Sequence, residues 1–152
     1  MKRGRPSTTG INDAVAIAKK RGCVMRVTYA PDSICDFFIR TVTHVAFARL
    51  VRIEKIIVPA SEIEHEYREI IAELRLFPQS LQIQRELWVY NKYGTYRFFR
   101  LNDYGLEEIQ QSGEPAKNGE PEPEAKTNGG SSPDTEPATG KDPKETPGRP
   151  PS

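Results

Sequence analysis

Six arginines fall on segments that read as β-strands: Arg26, Arg40, Arg49, Arg52, Arg97 and Arg100. A guanidinium held at a strand end offers forked N–H donors that match phosphate oxygens. Arg26, Arg40 and Arg52 are the candidates for such contacts. Arg3 and Arg5, which flank Gly4 in the basic opening MKRGRP, join them. One acid, Asp36, opens the second strand segment as Asp-Phe-Phe-Ile and precedes Arg49 by thirteen residues. A lone strand carboxylate either pairs with a nearby arginine or contributes to a metal site. His44 and His65 are the only two histidines and lie 21 residues apart. No other metal-ligand spacing accompanies them, so both read as structural or solvated. Cys23 and Cys35 sit in apolar strand contexts and read as buried thiols rather than a disulfide framework.

Residues 23–53 must position these groups. They divide into strands over 23–29, 34–40 and 44–53, each rich in Val, Ile, Phe and Thr. Ala30-Pro31-Asp32-Ser33 predicts a turn and Thr41-Val42-Thr43 a short link. Ahead of the strands, Ile11, Ala14, Val15 and Ala18 recur at helical spacing and predict a helix over 11–21 capped by Asn12. Lys19, Lys20 and Arg21 then face the negative end of the helix dipole, and Gly22 suits a left-handed stop. Behind the strands, residues 59–77 predict one long amphipathic helix with a Ser61–Glu64 capping box. Its apolar face is Ile63, Tyr67, Ile70, Ile71 and Leu74, and Glu62, Glu66, Glu69 and Glu73 point elsewhere. Residues 86–101 predict a hairpin turning at Gly94, 102–105 a turn, and 106–109 one helical turn. Alternation makes about half of its aromatic set (Trp88, Tyr90, Tyr93, Tyr96, Phe98 and Phe99) core.

Composition divides the chain of 152 residues near Ser112. Beyond that point there is no Val, Ile, Leu, Met, Phe, Trp or Tyr, and nine of the thirteen prolines fall there. Such a segment buries too little apolar area to offset chain entropy and reads as disordered. The expected organisation is a flexible basic arm over 1–10, one α/β domain over 11–110 and a tail over 111–152. Residues 1–111 carry 17 Lys and Arg against 13 Asp and Glu, and the remainder 5 against 8. The mildly basic domain permits nucleic acid as a partner. No apolar run is long enough to span a membrane and no apolar signal region opens the chain, so a cytoplasmic protein is expected.

The order helix, three strands, helix, strand pair resembles the αβββαβ core of the PD-(D/E)xK nucleases, the restriction-endonuclease-like fold. Within it the archaeal Holliday junction resolvases are most similar. The resemblance covers about residues 11–101. It rests on the basic helix end with Gly22 leading into CVMRV and on Asp36 at the head of a strand. It rests also on ELWVY followed by Gly94-Thr95-Tyr96-Arg97-Phe98, which resembles the closing strand pair. The implied fold is a mixed central sheet flanked by helices. The implied chemistry is phosphodiester cleavage at Mg²⁺ held by carboxylates on adjacent strands, with a lysine two residues beyond the second. Asp36 fills the first position. Arg49 stands in the second and Val51 in the lysine position, so a cation replaces the acid. The first-helix acid of some members has only Asn12 or Asp13 as a counterpart. Some nucleases of this fold take the second carboxylate from the following helix, which makes Glu62, Glu66 or Glu69 alternative metal ligands beside Asp36. Separately, Arg3-Gly4-Arg5-Pro6 resembles an AT-hook, whose arginines lie in a narrow minor groove.

The expectation is a DNA-binding protein of nuclease-like fold, with Asp36 and Arg49 as the relic of a catalytic pair and no cofactor. Two alternatives stand beside it. One is an active Mg²⁺-dependent endodeoxyribonuclease with a migrated carboxylate. The other is a protein-interaction module with no nucleic-acid role. Family analogy adds a homodimer, and no membrane partner is expected.

Overall fold

The computed structural model describes residues 6–27 and 33–116. The elements are α1 (Thr8–Ala18), β1 (Cys23–Arg26), β2 (Phe37–Arg40), β3 (Val45–Arg52), α2 (Ala60–Glu66), α3 (Arg68–Leu74), β4 (Ile83–Tyr90), β5 (Tyr96–Asn102) and β6 (Gly105–Ile109). The strands form one six-stranded mixed sheet in the order β1-β2-β3-β4-β5-β6. Every neighbouring pair is antiparallel except β3 and β4. A parallel pair needs a crossover, and α2 with α3 supplies it. No helix among the described residues is long and apolar enough to cross a membrane.

Each face of the sheet has its own core. On one, Ile11, Ala14, Val15 and Ala18 of α1 pack over Phe37, Ile39, Ala46, Ala48, Leu50 and Trp88. Trp88 meets Phe37 and Phe98 edge-on, with ring centroids 5.1 and 4.6 Å away. On the other, Ile63, Tyr67, Ile71 and Leu74 cover Val51, Ile53, Leu87, Val89, Phe99 and Leu101. β4 is enclosed on both sides, and its last six residues are all buried. The second core takes no residue from β1 or β2. That half of the face carries Met25, Phe38 and Phe47 side by side across three strands, with Phe77 stacked on Phe47 at 4.2 Å. Met25 is 54% exposed and Leu76, beside Phe77, is 71% exposed.

Several local expectations are corrected. Helix α1 begins at Thr8 and is capped by Ser7, whose Oγ accepts from the Gly10 amide at 3.2 Å. Asn12 is a helical residue whose side-chain oxygen, Oδ1, accepts from Arg26 instead. Gly22 is needed for close approach, because a Cβ there would collide with the Arg40 carbonyl. The positive-φ glycines among the described residues are Gly94, Gly105 and Gly113. The long helix breaks into α2 and α3 at Tyr67, where φ is −108° and ψ 24°. Tyr67 is 2% exposed, and its hydroxyl donates to the Arg52 carbonyl at 2.8 Å, tying the break to the end of β3. No side chain caps α2, so the Ser61–Glu64 box does not form, and Glu64 reaches Arg75 at 3.7 Å instead.

The expected helical turn over 106–109 is strand β6. Asn102 pairs with Gly105 across a two-residue turn, and the chain returns along β5. Past Ile109 it doubles back once more, with the Ala116 amide donating to the Glu108 carbonyl at 3.0 Å. Residues 1–5 of the expected arm, the end of the first expected strand at 28–29, residues 30–32 of the expected turn and the expected tail from 117 lie outside the described residues.

Candidate functional site

Asp36 and Arg49 meet. The backbone of Asp36 extends the sheet pairing, its amide donating to Ala48 and its carbonyl accepting from Val27, both at 2.9 Å. That register turns its carboxylate toward β3. One oxygen accepts the Leu50 amide at 2.7 Å, and the other lies 3.6 Å from Arg49 Nη1. The same Arg49 nitrogen donates to the Ser33 carbonyl at 2.8 Å. Beside them burial pushes the Cys35 thiol up to about 11, reinforced by the Asp36 charge and opposed by Arg49, so it stays protonated at neutral pH.

Arg49 also lines a cleft of about 1190 Å³ at the carboxyl ends of β3 and β4. In open α/β sheets this is where ligands bind, outside the ends of parallel strands. Pro6 and Ser7, which lead into α1, form one wall, and Glu62 and Glu66 of α2 with Tyr67 at the helix break form another. Arg52, Lys55 and Lys92 reach it from the strand ends. Sequence reasoning missed the two lysines. Their signal was position: one follows β3 and the other follows β4, the parallel pair.

The remaining predicted residues scatter. Arg26 is exposed on β1 and donates to Asn12. Arg40 pairs with Val45 at the start of β3, whereas Arg52 closes that strand, roughly 23 Å away at 3.3 Å per residue. Arg40 and Arg52 therefore do not border one cleft. Glu69 sits exposed on α3 and takes no part in lining the cleft, unlike Glu62 and Glu66. Arg3 and Arg5 precede the described residues. Among the described residues no group of three or more His, Cys, Asp or Glu is placed to hold a metal ion. In the hairpin Trp88, Tyr90, Phe98 and Phe99 are buried and Tyr93 is 76% exposed, so its aromatics are mainly core.

Arg97 and Arg100 are structural. Arg97 grips Glu108 with two N–H groups at 2.8 Å and donates to the Ile56 and Val58 carbonyls at 2.8 and 2.6 Å. It thereby pins the loop that leaves the cleft toward α2. Arg100 donates to the Gly113 carbonyl. Arg21 turns inward to a buried acid that sequence reasoning overlooked, Glu86, which also accepts from the Trp88 indole at 2.8 Å. The basic triplet is thus not merely dipole compensation.

His44 bonds through Nδ1 to the Thr41 and Thr43 hydroxyls at 3.1 and 3.0 Å. Burial holds its pKa below the ordinary value, and the nearby Arg21 and Arg100 charges add to that while Glu86 opposes it. His65 is exposed on α2. No protein-family model matches the chain, and no curated protein matches it.

Proposed function

We propose that this chain is a DNA-binding protein on a nuclease-like sheet that has no hydrolytic activity. The observation that carries the proposal is the pairing of Asp36 with Arg49, which lines a cleft bordered by Arg52, Lys55 and Lys92. Supporting it are the element order, a helix, three strands, a helical crossover and further strands, and the position of the cleft at the ends of the parallel pair. Asp36 and Arg49 by themselves do not fit a Mg²⁺ site. Asp36 gives one oxygen to the Leu50 amide and faces Arg49 with the other, and a fixed guanidinium repels a divalent cation. Lysine and arginine at an open cleft instead suit phosphate contacts that release counterions. Anisotropy titrations with branched and linear DNA test this: binding that weakens steeply with salt is expected, and no binding to either form rejects it.

Glu62 and Glu66 favour a second reading, because they line the same cleft as Arg49. In it the chain is a Mg²⁺-dependent endonuclease whose second carboxylate has moved to α2. Plasmid nicking by wild type and Asp36→Ala discriminates: activity lost in the variant supports this reading, and equal rates or none reject it.

The proposal extends to a homodimer. The open face over Met25, Phe38, Phe47 and Phe77 is apolar, and the chain beyond Ser112 holds no Val, Ile, Leu, Met or aromatic residue to cover it. Contiguous apolar patches of this kind mark association surfaces. The molar mass in solution tests it, with Met25→Glu expected to yield monomer. Cys23 is exposed rather than buried as expected, and Cys35 is buried; two free thiols suit a reducing compartment such as the cytoplasm.

A further inference from the structure

Past β6 the chain folds back over the sheet. Ile109 pairs with Pro115, and the Ala116 amide donates to the Glu108 carbonyl at 3.0 Å. The Gln110 amide donates to the Glu114 carbonyl at 2.7 Å and the Gly113 amide to the Gln110 carbonyl at 2.9 Å. Residues 110–116 thus form a strap, and its turn sits on two arginines. Gly113, at a φ of 90°, offers its carbonyl to Arg100. It also packs so closely on Arg21 that a Cβ there would lie 2.5 Å from Nη2 and 2.9 Å from Nε. Glycine alone meets both demands.

The two arginines belong to a polar cluster on one face of the sheet. Arg21 and Glu86 are bonded there at 4% and 0% side-chain exposure. Arg100 pairs across the strands with Glu86 of β4 and with Glu107 of β6. By alternation, Gln84 shares the face of Glu86, and His44 that of Ala46 opposite Gln84. Six buried side-chain atoms among the described residues have no hydrogen-bond partner. Four belong to this cluster: Arg21 Nε, His44 Nε2, Gln84 Oε1 and Arg100 Nε. Such atoms cost free energy while they stay covered.

His44 is the member that titrates near neutral pH. The Thr41 and Thr43 hydroxyls engage its Nδ1, which leaves Nε2 as the unpartnered nitrogen. The charges that act on it are Arg21 from the end of α1, Glu86 from β4 and Arg100 from β5. Glu107 lies one strand further and accepts from Asn102. Arg40 of β2 pairs with Val45 and so projects from the other face. Glu114 of the strap is exposed. Burial, then Arg21 and Arg100 against Glu86, keep the ring below its ordinary pKa of 6.5.

We propose that the strap is a pH-released latch, closed over the Arg21–Glu86 pair while His44 is neutral and lifted when His44 takes up a proton. Protonation sets a third cation beside Arg21 and Arg100, with one buried acid among them. Lifting the strap admits water, which solvates these charges and the unpartnered atoms. The sign follows from linkage. Closure that lowers the proton affinity of a ring is opposed, to the same extent, by protonating that ring. The strap is therefore closed above about pH 6.5 and opens progressively below it. This device is independent of what the cleft binds.

The test is amide hydrogen exchange on the full chain at pH 7.5 and 5.5, with each rate corrected for intrinsic exchange. Opening at the Gly113 and Ala116 amides is expected to rise severalfold, and at most about tenfold for one proton over this span. The β4 amides stay protected. His44→Asn removes the rise. Gly113→Ala, crowded against Arg21, opens the strap at both pH values. Titration of the His44 ring by magnetic resonance gives the reciprocal reading: its pKa in Gly113→Ala lies closer to 6.5 than in wild type. A strap equally protected at both pH values overturns the proposal. So does a rise that survives His44→Asn, a rise shared equally by β4, or the same His44 titration in wild type and Gly113→Ala.

Discussion

Two nitrogens of the Arg21 guanidinium donate to the two carboxylate oxygens of Glu86, at 2.8 and 2.7 Å, where the side chains are 4% and 0% exposed. The pair fastens the end of α1 to the central strand, and Trp88 adds its indole N–H and its ring face to it. Removing one partner leaves a buried charge without compensation. Glu86→Ala is therefore expected to destabilise the fold by about 3–5 kcal/mol. Arg21→Met combined with Glu86→Leu removes both charges and is expected to cost less than the single change, leaving only the Trp88 N–H unsatisfied. Denaturant unfolding of the singles and the double checks it.

The Asp36 carboxylate accepts the amide of Leu50, which is 1% exposed. Asp36→Ala leaves that amide without its partner and Arg49 without its acid, at a cost of about 2 kcal/mol. An unfolding midpoint lowered to match, with DNA affinity retained at temperatures where the variant is folded, is the expected result. It separates a structural role for Asp36 from a metal-binding one.

Stability should respond to pH in two separate windows. His44 has a folded pKa below its ordinary 6.5, so the unfolded chain takes up the proton first as pH falls. Its contribution is fully present above about pH 6.5 and is lost below it, down to the folded pKa. Glu108 has its pKa lowered by the hydrogen bond from Arg97, with burial opposing. Its contribution is present above the ordinary carboxylate value of 4.5 and is lost as pH falls through the lowered one. Unfolding midpoints measured from pH 7.5 down to 3.5 should decline in both windows. His44→Asn should flatten only the first, and Glu108→Gln only the second.

Tyr67 joins the helical crossover to β3 through one hydroxyl. Tyr67→Phe keeps the ring in its core and removes that bond, for an expected loss of about 1 kcal/mol. Faster amide hydrogen exchange in α2 than in α1 would locate the effect at the cleft wall.

Alternation and β-branched content made β2, β3 and the hairpin legible in the sequence, whereas pairing with an arginine was only one of two readings open for Asp36. Residues whose roles depend on distant partners were not legible. Ser7 outcompetes Asn12 as the cap because Tyr90, far along the chain, holds it in place. Tyr67 breaks a segment whose periodicity is continuous, because a β3 carbonyl claims its hydroxyl. Residues 106–109 became strand because β5 offered an open edge. Arg21 looked like a dipole partner until the fold brought Glu86 under it. Lys55 and Lys92 gained significance only when β3 and β4 were seen to be parallel.

The central claim is that the cleft beside the Asp36–Arg49 pair, lined by Arg52, Lys55 and Lys92 and also by Glu54, Glu62 and Glu66, binds DNA without cutting it. Its most direct test is a single titration of branched and linear DNA with the full chain in Mg²⁺, read by gel shift at two salt concentrations. The account predicts retarded complexes that weaken with salt and contain intact strands. Unshifted DNA at low salt, or strands cut by wild type and left whole by Asp36→Ala, would contradict it.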